Sequence, residues 1–222
     1  MQQKNIEIEL RYIVLDIDLL NTFIETCQLI DQKHDVDVYF DTKERTLFKK
    51  GIFIRTRNDK KVEIKFNRAC VENPELEKQD YCEEYSFKLP FCQKEQQLFE
   101  DIITSLDLQK SKHFGFDQFL HTNYFEPHYV IDKVRTTYKK NDFLIAVDEI
   151  KDLGTFLEIE CMASNIQDLL AIKERMQKVV ASVSLKPLKT GYGTLLLRTK
   201  NFQEYLLGRY VLPEDNHLKN KE

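Results

Sequence analysis

Ile6-Glu7-Ile8-Glu9-Leu10-Arg11-Tyr12 is the stretch from which the fold of this chain is read. Apolar residues take every even position and charged residues every odd one. A period of two specifies a β-strand with one apolar and one charged face. The pattern then returns. Residues 52–57 put Phe53, Arg55 and Arg57 on one face and Ile52, Ile54 and Thr56 on the other. Val62, Ile64 and Phe66 alternate with Glu63 and Lys65, and in residues 129–138 Lys133 and Arg135 share a face. Residues 34–40, 81–89, 143–149 and 156–161 complete eight predicted strands.

Helical spacing falls between and after them. Residues 16–30 carry Leu19, Leu20, Phe23, Ile24, Cys27 and Ile30 at helical intervals, and 94–106 repeat the pattern. Asn165 is the predicted N-cap of a helix over 165–183, and a last helix is predicted over 194–207. Residues 67–80 read as a polar connection. The predicted organisation is one domain over 1–210 and a flexible tail over 211–222. Many short strands with a few helices predict an α+β fold built on an antiparallel sheet or barrel.

Composition narrows the function classes. At 222 residues, 42% hydrophobic and 32% charged, the chain has enough apolar content for one sizeable core. A net charge of −4 argues against broad binding to nucleic acid or anionic membrane. The five cysteines are odd in number and form no C-x-x-C pair, so neither a disulfide framework nor a zinc site is expected. The N-terminus shows no secretory h-region, and the expected compartment is the cytoplasm. His121 and His128 sit in an aromatic-rich stretch and read as structural residues.

The polar faces are unusual because they repeat Glu and Arg at i, i+2, roughly 6.6 Å apart on one side of a strand. Such a face belongs either in solvent or inside a wet, closed barrel. Burial without partners would cost several kcal/mol per ion. The inward arrangement therefore needs a ligand that brings both signs of charge. Carboxylates suit hard divalent cations, and guanidinium and ammonium groups suit phosphate oxygens.

The segment I-E-I-E-L-R resembles the E-x-E-x-K signature of the CYTH superfamily, the triphosphate tunnel metalloenzymes. Further segments are similar in the family's order: V-Y-F-D-T-K from Val38, L-F-K-K-G-I-F-I-R-T-R from Leu47, V-E-I-K-F from Val62, V-R-T-T-Y from Val134, I-A-V-D-E-I from Ile145, L-G-T-F-L-E-I-E from Leu153 and K-T-G-Y-G-T-L-L from Lys189. The resemblance implies an eight-stranded antiparallel β-barrel with flanking helices and charged faces turned inward. It implies metal-binding carboxylates at Glu7, Glu9, Asp148, Glu158 and Glu160, with Mg²⁺ or Mn²⁺ as cofactor. It implies triphosphate-binding bases at Arg55, Arg57, Lys65, Arg135 and Lys189.

Arg11 departs from the motif, which has lysine there. Glu7, Glu9 and Arg11 are the residues the resemblance puts next to the chemistry, and arginine cannot serve as a general base. Within the family the chain is most similar to thiamine triphosphatases, with Phe53 where a ring-stacking tryptophan is typical. Three activities stay open: hydrolysis of thiamine triphosphate or tripolyphosphate, cyclisation of ATP as in class IV adenylyl cyclases, or binding with little turnover. The expected partner is a small triphosphate, with no nucleic acid or membrane, on a monomer or homodimer. Glu84 and Lys88 read as tunnel-lining or as a cross-strand ion pair. His34, Asp37, Tyr39 and Asp41 read as structural or rim residues.

Overall fold

The computed structural model describes residues 6–76, 81–163 and 167–219. Its core is a single antiparallel sheet that closes on itself. The strands are β1 (Ile6–Val14), β2 (Gln28–Asp41), β3 (Phe53–Arg57), β4 (Lys61–Phe66), β5 (Tyr81–Lys88), β6 (Glu126–Lys140), β7 (Phe143–Ile150) and β8 (Gly154–Ala163). They run in the order β5-β4-β3-β2-β6-β7-β8-β1. β1 then returns to β5 through Ile6↔Glu83, Glu7↔Cys82 and Ile8↔Tyr81, which closes the sheet into a barrel. A short ninth strand, β9 (Leu185–Pro187), takes the remaining edge of β1 at residues 12–14. The expected eight-stranded antiparallel barrel with flanking helices is therefore observed.

The helices explain why the charged faces point inward. On one side Ile54, Val62, Ile64 and Phe87 pack against Phe99, Ile102 and Ile103 of α4 (Gln93–Ser105) and Phe116 and Phe119 of α5 (Phe116–Thr122). On the other, Ile8, Ile145, Leu157 and Ile159 pack against Leu20 and Phe23 of α1 (Ile17–Ile24) and Met176 of α6 (Leu169–Val179). Burying a large aliphatic or aromatic side chain contributes about 1.5–3 kcal/mol. Both helical coats therefore favour turning the apolar strand faces outward against them. The alternate residues, Glu and Arg among them, are left facing the barrel axis. A third cluster, including Tyr129, Phe156, Leu188, Tyr192, Leu197 and Tyr205, packs α7 (Tyr192–Lys200) and α8 (Phe202–Leu207) against β6 and β8.

Several elements differ from expectation. The helix predicted over 16–30 stops at Ile24, and β2 begins at Gln28. Cys27 and Ile30 keep helical spacing, but the ladder to β6 starts at Gln28↔Lys139 and takes that backbone, leaving Leu29 and Ile30 exposed. The predicted 194–207 helix is two helices, α7 (Tyr192–Lys200) and α8 (Phe202–Leu207), broken at Asn201. The Asn201 side chain accepts from the Glu204 N–H at 3.2 Å, so it caps the second helix instead of continuing the first. Asn165 lies outside the described residues. Residues 67–76 include α3 (Arg68–Glu72), capped by Asn67; the labels α2 (Thr46–Lys50) and α3 complete the helices.

Within the expected tail, residues 211–219 pack against the rest of the chain, and 220–222 lie outside the described residues. Val211 and Leu212 are buried, and Pro213–Leu218 form a 3₁₀ helix. Asp215 accepts from Arg198 Nε at 2.7 Å and from Tyr205 Oη at 2.8 Å. Tyr205 Oη in turn accepts from the Leu212 N–H at 2.7 Å. Among the described residues no helix is long and apolar enough to cross a membrane.

Candidate active site

The barrel encloses a cavity of about 700 Å³. Its acidic wall is built by β1 and β8. Their register places Glu9 opposite Glu160 and Arg11 opposite Glu158, so side chains two apart on each strand meet across the ladder. Facing them, β3, β4 and β6 supply most of the bases, each already held by acid, with Asp37 of β2 among the acids. Arg57 makes a bidentate pair with Asp37, Nε to Oδ1 at 2.7 Å and Nη2 to Oδ2 at 2.9 Å. Arg55 donates to Glu63 at 2.8 Å and to the Tyr39 hydroxyl at 2.7 Å. Lys65 sits between Glu7 and Glu9 at 2.9 Å from each, with Glu84 at 3.3 Å.

Deeper in, Arg135 donates to Asp148 at 2.6 and 2.5 Å and also to Glu158. Lys133 reaches the same Asp148 at 3.0 Å. Arg11 donates to Glu158 at 2.5 Å and to the Thr190 carbonyl at 2.9 Å, and pairs with Glu9. This interior is a lattice of acid–base pairs in low dielectric, where each unpaired charge would be costly.

The acids do not share these bases equally. Burial pushes Glu158 up, but Arg11 and Arg135 overcome it and hold the carboxyl well below its usual range. Burial likewise works against Glu9, and Arg11 and Lys65 more than compensate. Glu7 goes the other way: burial raises it well above the usual value, and Lys65, shared with Glu84 and Glu9, offsets only part. Glu160 is raised by burial and then by Glu158. Among the described residues it has no ion pair or hydrogen bond. Lys133 is lowered by burial and by Arg135.

A divalent cation fits this wall in kind. The available donors are hard carboxylate oxygens, and the two acids with raised pKa values would gain most from a positive charge beside them. Among the described residues no three Asp, Glu, His or Cys side chains already converge as a ready metal cage. Lys65 and Arg11 hold the oxygens that a cation would take.

Glu7, Glu9, Arg11, Phe53, Arg55, Arg57, Lys65, Arg135, Glu158, Glu160 and Lys189 all line the one cavity. Asp148 does not. It is fully buried behind Lys133 and Arg135, so it anchors two bases and is not an open ligand. Phe53 is half-buried between Tyr39, edge-on at 6.5 Å, and Tyr210, stacked at 6.3 Å. Lys189 is exposed. Asp37, read from sequence as structural or rim, belongs to the lattice through Arg57, as does Glu63 through Arg55. Lys133 was legible as the face-mate of Arg135. Tyr192, with Arg11 4.5 Å over its ring, gave no sequence signal. His128 is structural as expected: its ring contacts Glu204 at 3.0 Å, and burial pushes its pKa down to about 4. None of the five cysteines is in a disulfide.

A closed antiparallel barrel with paired acids and bases lining its cavity is the tunnel architecture the sequence motifs led one to expect. The CYTH domain family model matches residues 5–189, and the chain belongs to that family. A curated protein of Methanocaldococcus jannaschii, described as a candidate adenylate cyclase, is 33% identical over 55 residues. That match takes in 25% of this chain and 31% of the relative, so the chain spans about a third of the relative's length. A solved structure of a candidate adenylate cyclase from Vibrio parahaemolyticus has a TM-score of 0.58 at 18% identity, covering 87% of this chain and 99% of its own. Another from Hippeastrum, described as a candidate adenylyl cyclase with a dominant triphosphatase activity, has a TM-score of 0.56 at 16% identity, covering 94% and 98%. At such identities the likeness is one of fold.

Proposed function

We propose that the chain is a metal-dependent triphosphatase acting on a linear triphosphate, with thiamine triphosphate or inorganic tripolyphosphate as substrate. The observation that carries this reading is the exchangeable lattice. Among the described residues every base lining the cavity from β3, β4 and β6 is paired with a carboxylate, and Glu160 opposite them has no such pair. A metal–triphosphate complex presents cation to the acids and anion to the bases. The cavity-lining acids Glu7, Glu9 and Glu158 then exchange a base for the cation and the freed bases take phosphate, while Asp37 and Asp148, buried outside the lining, stay as anchors.

Arg55 and Arg57 offer planar forks for phosphate oxygens, and Arg135, Lys65 and Lys133 add charge along the same tunnel. Glu7, Glu9, Glu158 and Glu160 are the residues that would hold Mg²⁺ or Mn²⁺. When bound, such an ion supplies charge neutralisation on the phosphoryl oxygens and a more acidic coordinated water. Phosphoryl transfer depends mainly on positioning and charge, which this chain's residues provide without a covalent nucleophile. Arg11, held by Glu158 and the Thr190 carbonyl, contributes fixed positive charge and does not accept a proton. Phe53, with Tyr39 and Tyr210 beside it, forms an aromatic wall on which the cationic thiazolium could stack. Every side chain invoked comes from one copy of the chain, so a monomer or a homodimer would serve, in the cytoplasm.

A second reading, cyclisation of ATP, is motivated by the description of the M. jannaschii relative, while that of the Hippeastrum protein favours hydrolysis. Incubation with thiamine triphosphate, tripolyphosphate and ATP, each with Mg²⁺ and with products identified, separates them. Orthophosphate release is expected. Cyclic AMP and pyrophosphate from ATP, without orthophosphate from the others, would overturn the hydrolase reading.

A further inference from the structure

Resting on that reading, we infer that the first turn of α7 is a phosphate subsite, where that helix meets the tunnel. α7 starts at Gly191 with no side-chain cap. The amides of Tyr192, Gly193 and Thr194 belong to its first turn and have no partner within the helix. Their N–H groups and the positive end of the helix dipole favour an anion.

The second observation is independent of the helix end. The Tyr192 hydroxyl and the Thr194 hydroxyl are both buried and have no hydrogen-bond partner among the described residues. Tyr192 is 8% exposed and Thr194 1%. Both residues line the cavity, together with Gly191 and Gly193. Buried hydroxyls are nearly always paired, so two orphans on one turn, in residues that line one cavity, point to a missing acceptor.

Two further features fit a tetrahedral oxyanion. A Cβ placed on Gly191 would meet nothing within 4 Å, so there is open space beside the start of the helix. A Cβ on Gly193 would fall 2.2 Å from the Tyr129 ring, so the backbone there is pressed against a wall and held in place. Cations stand close by. The Arg11 guanidinium lies 4.5 Å over the Tyr192 ring and Lys133 Nζ lies 5.4 Å from it. Lys189, two residues before Gly191, lines the same cavity. Phosphate accepts from several N–H and O–H donors at once, which matches this set. The turn would hold one end of the triphosphate and so fix the direction in which the chain lies in the tunnel.

The test uses the full chain and calorimetric titration with two probes, orthophosphate and a methylene-bridged tripolyphosphate that cannot hydrolyse, both with Mg²⁺. Tyr192→Phe and Thr194→Val remove the hydroxyls and keep the shapes. Each is expected to weaken binding of both probes about tenfold, the scale of a hydrogen bond to a charged group. Thr194→Ser should restore most of the loss, and the melting temperature without ligand should stay at the wild-type value or rise. Wild-type affinity in both variants would show that water alone serves the hydroxyls and would overturn the inference. If that result accompanies a large loss in Arg57→Ala, the triphosphatase reading stands and the subsite falls. If wild type binds orthophosphate in a Thr194-dependent way but not the tripolyphosphate analogue, the subsite stands and that reading falls. Binding of neither probe by wild type would refute both.

Discussion

Replacing Arg135 by methionine removes a guanidinium that serves two buried carboxylates, Asp148 and Glu158. Asp148 is fully buried and Glu158 is 3% exposed, while the Arg135 side chain is 19% exposed. Deleting one partner of a buried ion pair costs roughly 3–5 kcal/mol. Asp148 keeps Lys133 at 3.0 Å and Glu158 keeps Arg11 at 2.5 Å, so the cost belongs at the lower end, about 3 kcal/mol. In a chain of this size each kcal/mol moves Tm by about 2–4 °C, giving an expected drop of roughly 6–12 °C at pH 7. The pH dependence has a definite sign. The folded-state pKa of Glu158 is depressed below the usual 4.5 by Arg11 and Arg135 against burial. Its stabilisation is present above that value and is lost as pH falls through the folded pKa. The gap between wild type and Arg135→Met should therefore be full at pH 7 and shrink below pH 4.5. Thermal unfolding followed by circular dichroism at both ends of that range measures it. An unchanged Tm at pH 7 would mean that Arg135 faces solvent and that the inward lattice is wrong.

Three other outcomes are expected. Glu7 and Glu160 have folded pKa values raised above the usual 4.5, so folded protein holds their protons as pH rises past that value, and a cation must displace them. The rise in Tm on adding Mg²⁺ should accordingly grow from pH 5 to pH 8; a shift that is flat or shrinks over that range would contradict the metal assignment. Arg11→Lys should keep or raise triphosphatase turnover while Arg11→Ala loses it, because the position contributes charge; equal rates for Ala and wild type would remove Arg11 from the site. Asp215→Ala strips Tyr205 Oη of its buried acceptor, worth about 1 kcal/mol, and should lower Tm by about 2–4 °C. No change there would mean that residues 213–218 do not brace α7 and α8.

What could be read in advance followed the range of the forces involved. Alternation is local, so residues 6–12 of β1 and the F-I-R-T-R of β3 declared strands with charged faces before any partner was known. Which way those faces point depends on what covers the other side, and alternation alone does not say. The resemblance to the CYTH motifs supplied that direction, and the coats of α1, α4, α5 and α6 give its physical reason. Register is non-local: nothing in 34–40 alone says that Asp37 meets Arg57, or in 62–66 that Glu63 meets Arg55. The pairing of Asp148 was hidden on the same ground, since its contacts appear only when Lys133 and Arg135 are placed beside it. Competition between local and distant hydrogen bonds misled the 16–30 helix, where β6 captured the chain from Gln28 onward. In the tail, the polar run after Leu212 gave no hint that Asp215 would meet Arg198 and Tyr205.

The most direct test of the central claim is a crystal structure of the full chain with Mn²⁺ and the methylene-bridged tripolyphosphate. The account predicts anomalous Mn²⁺ density inside the barrel against Glu9 and Glu160, with Glu7 or Glu158 completing it. It predicts phosphate oxygens about 3 Å from Arg55, Arg57 and Arg135, and Lys65 drawn off Glu7 and Glu9. Ligand bound on the outer surface, with the Lys65 pairs and the Arg135–Glu158 pair left as they are, would contradict it.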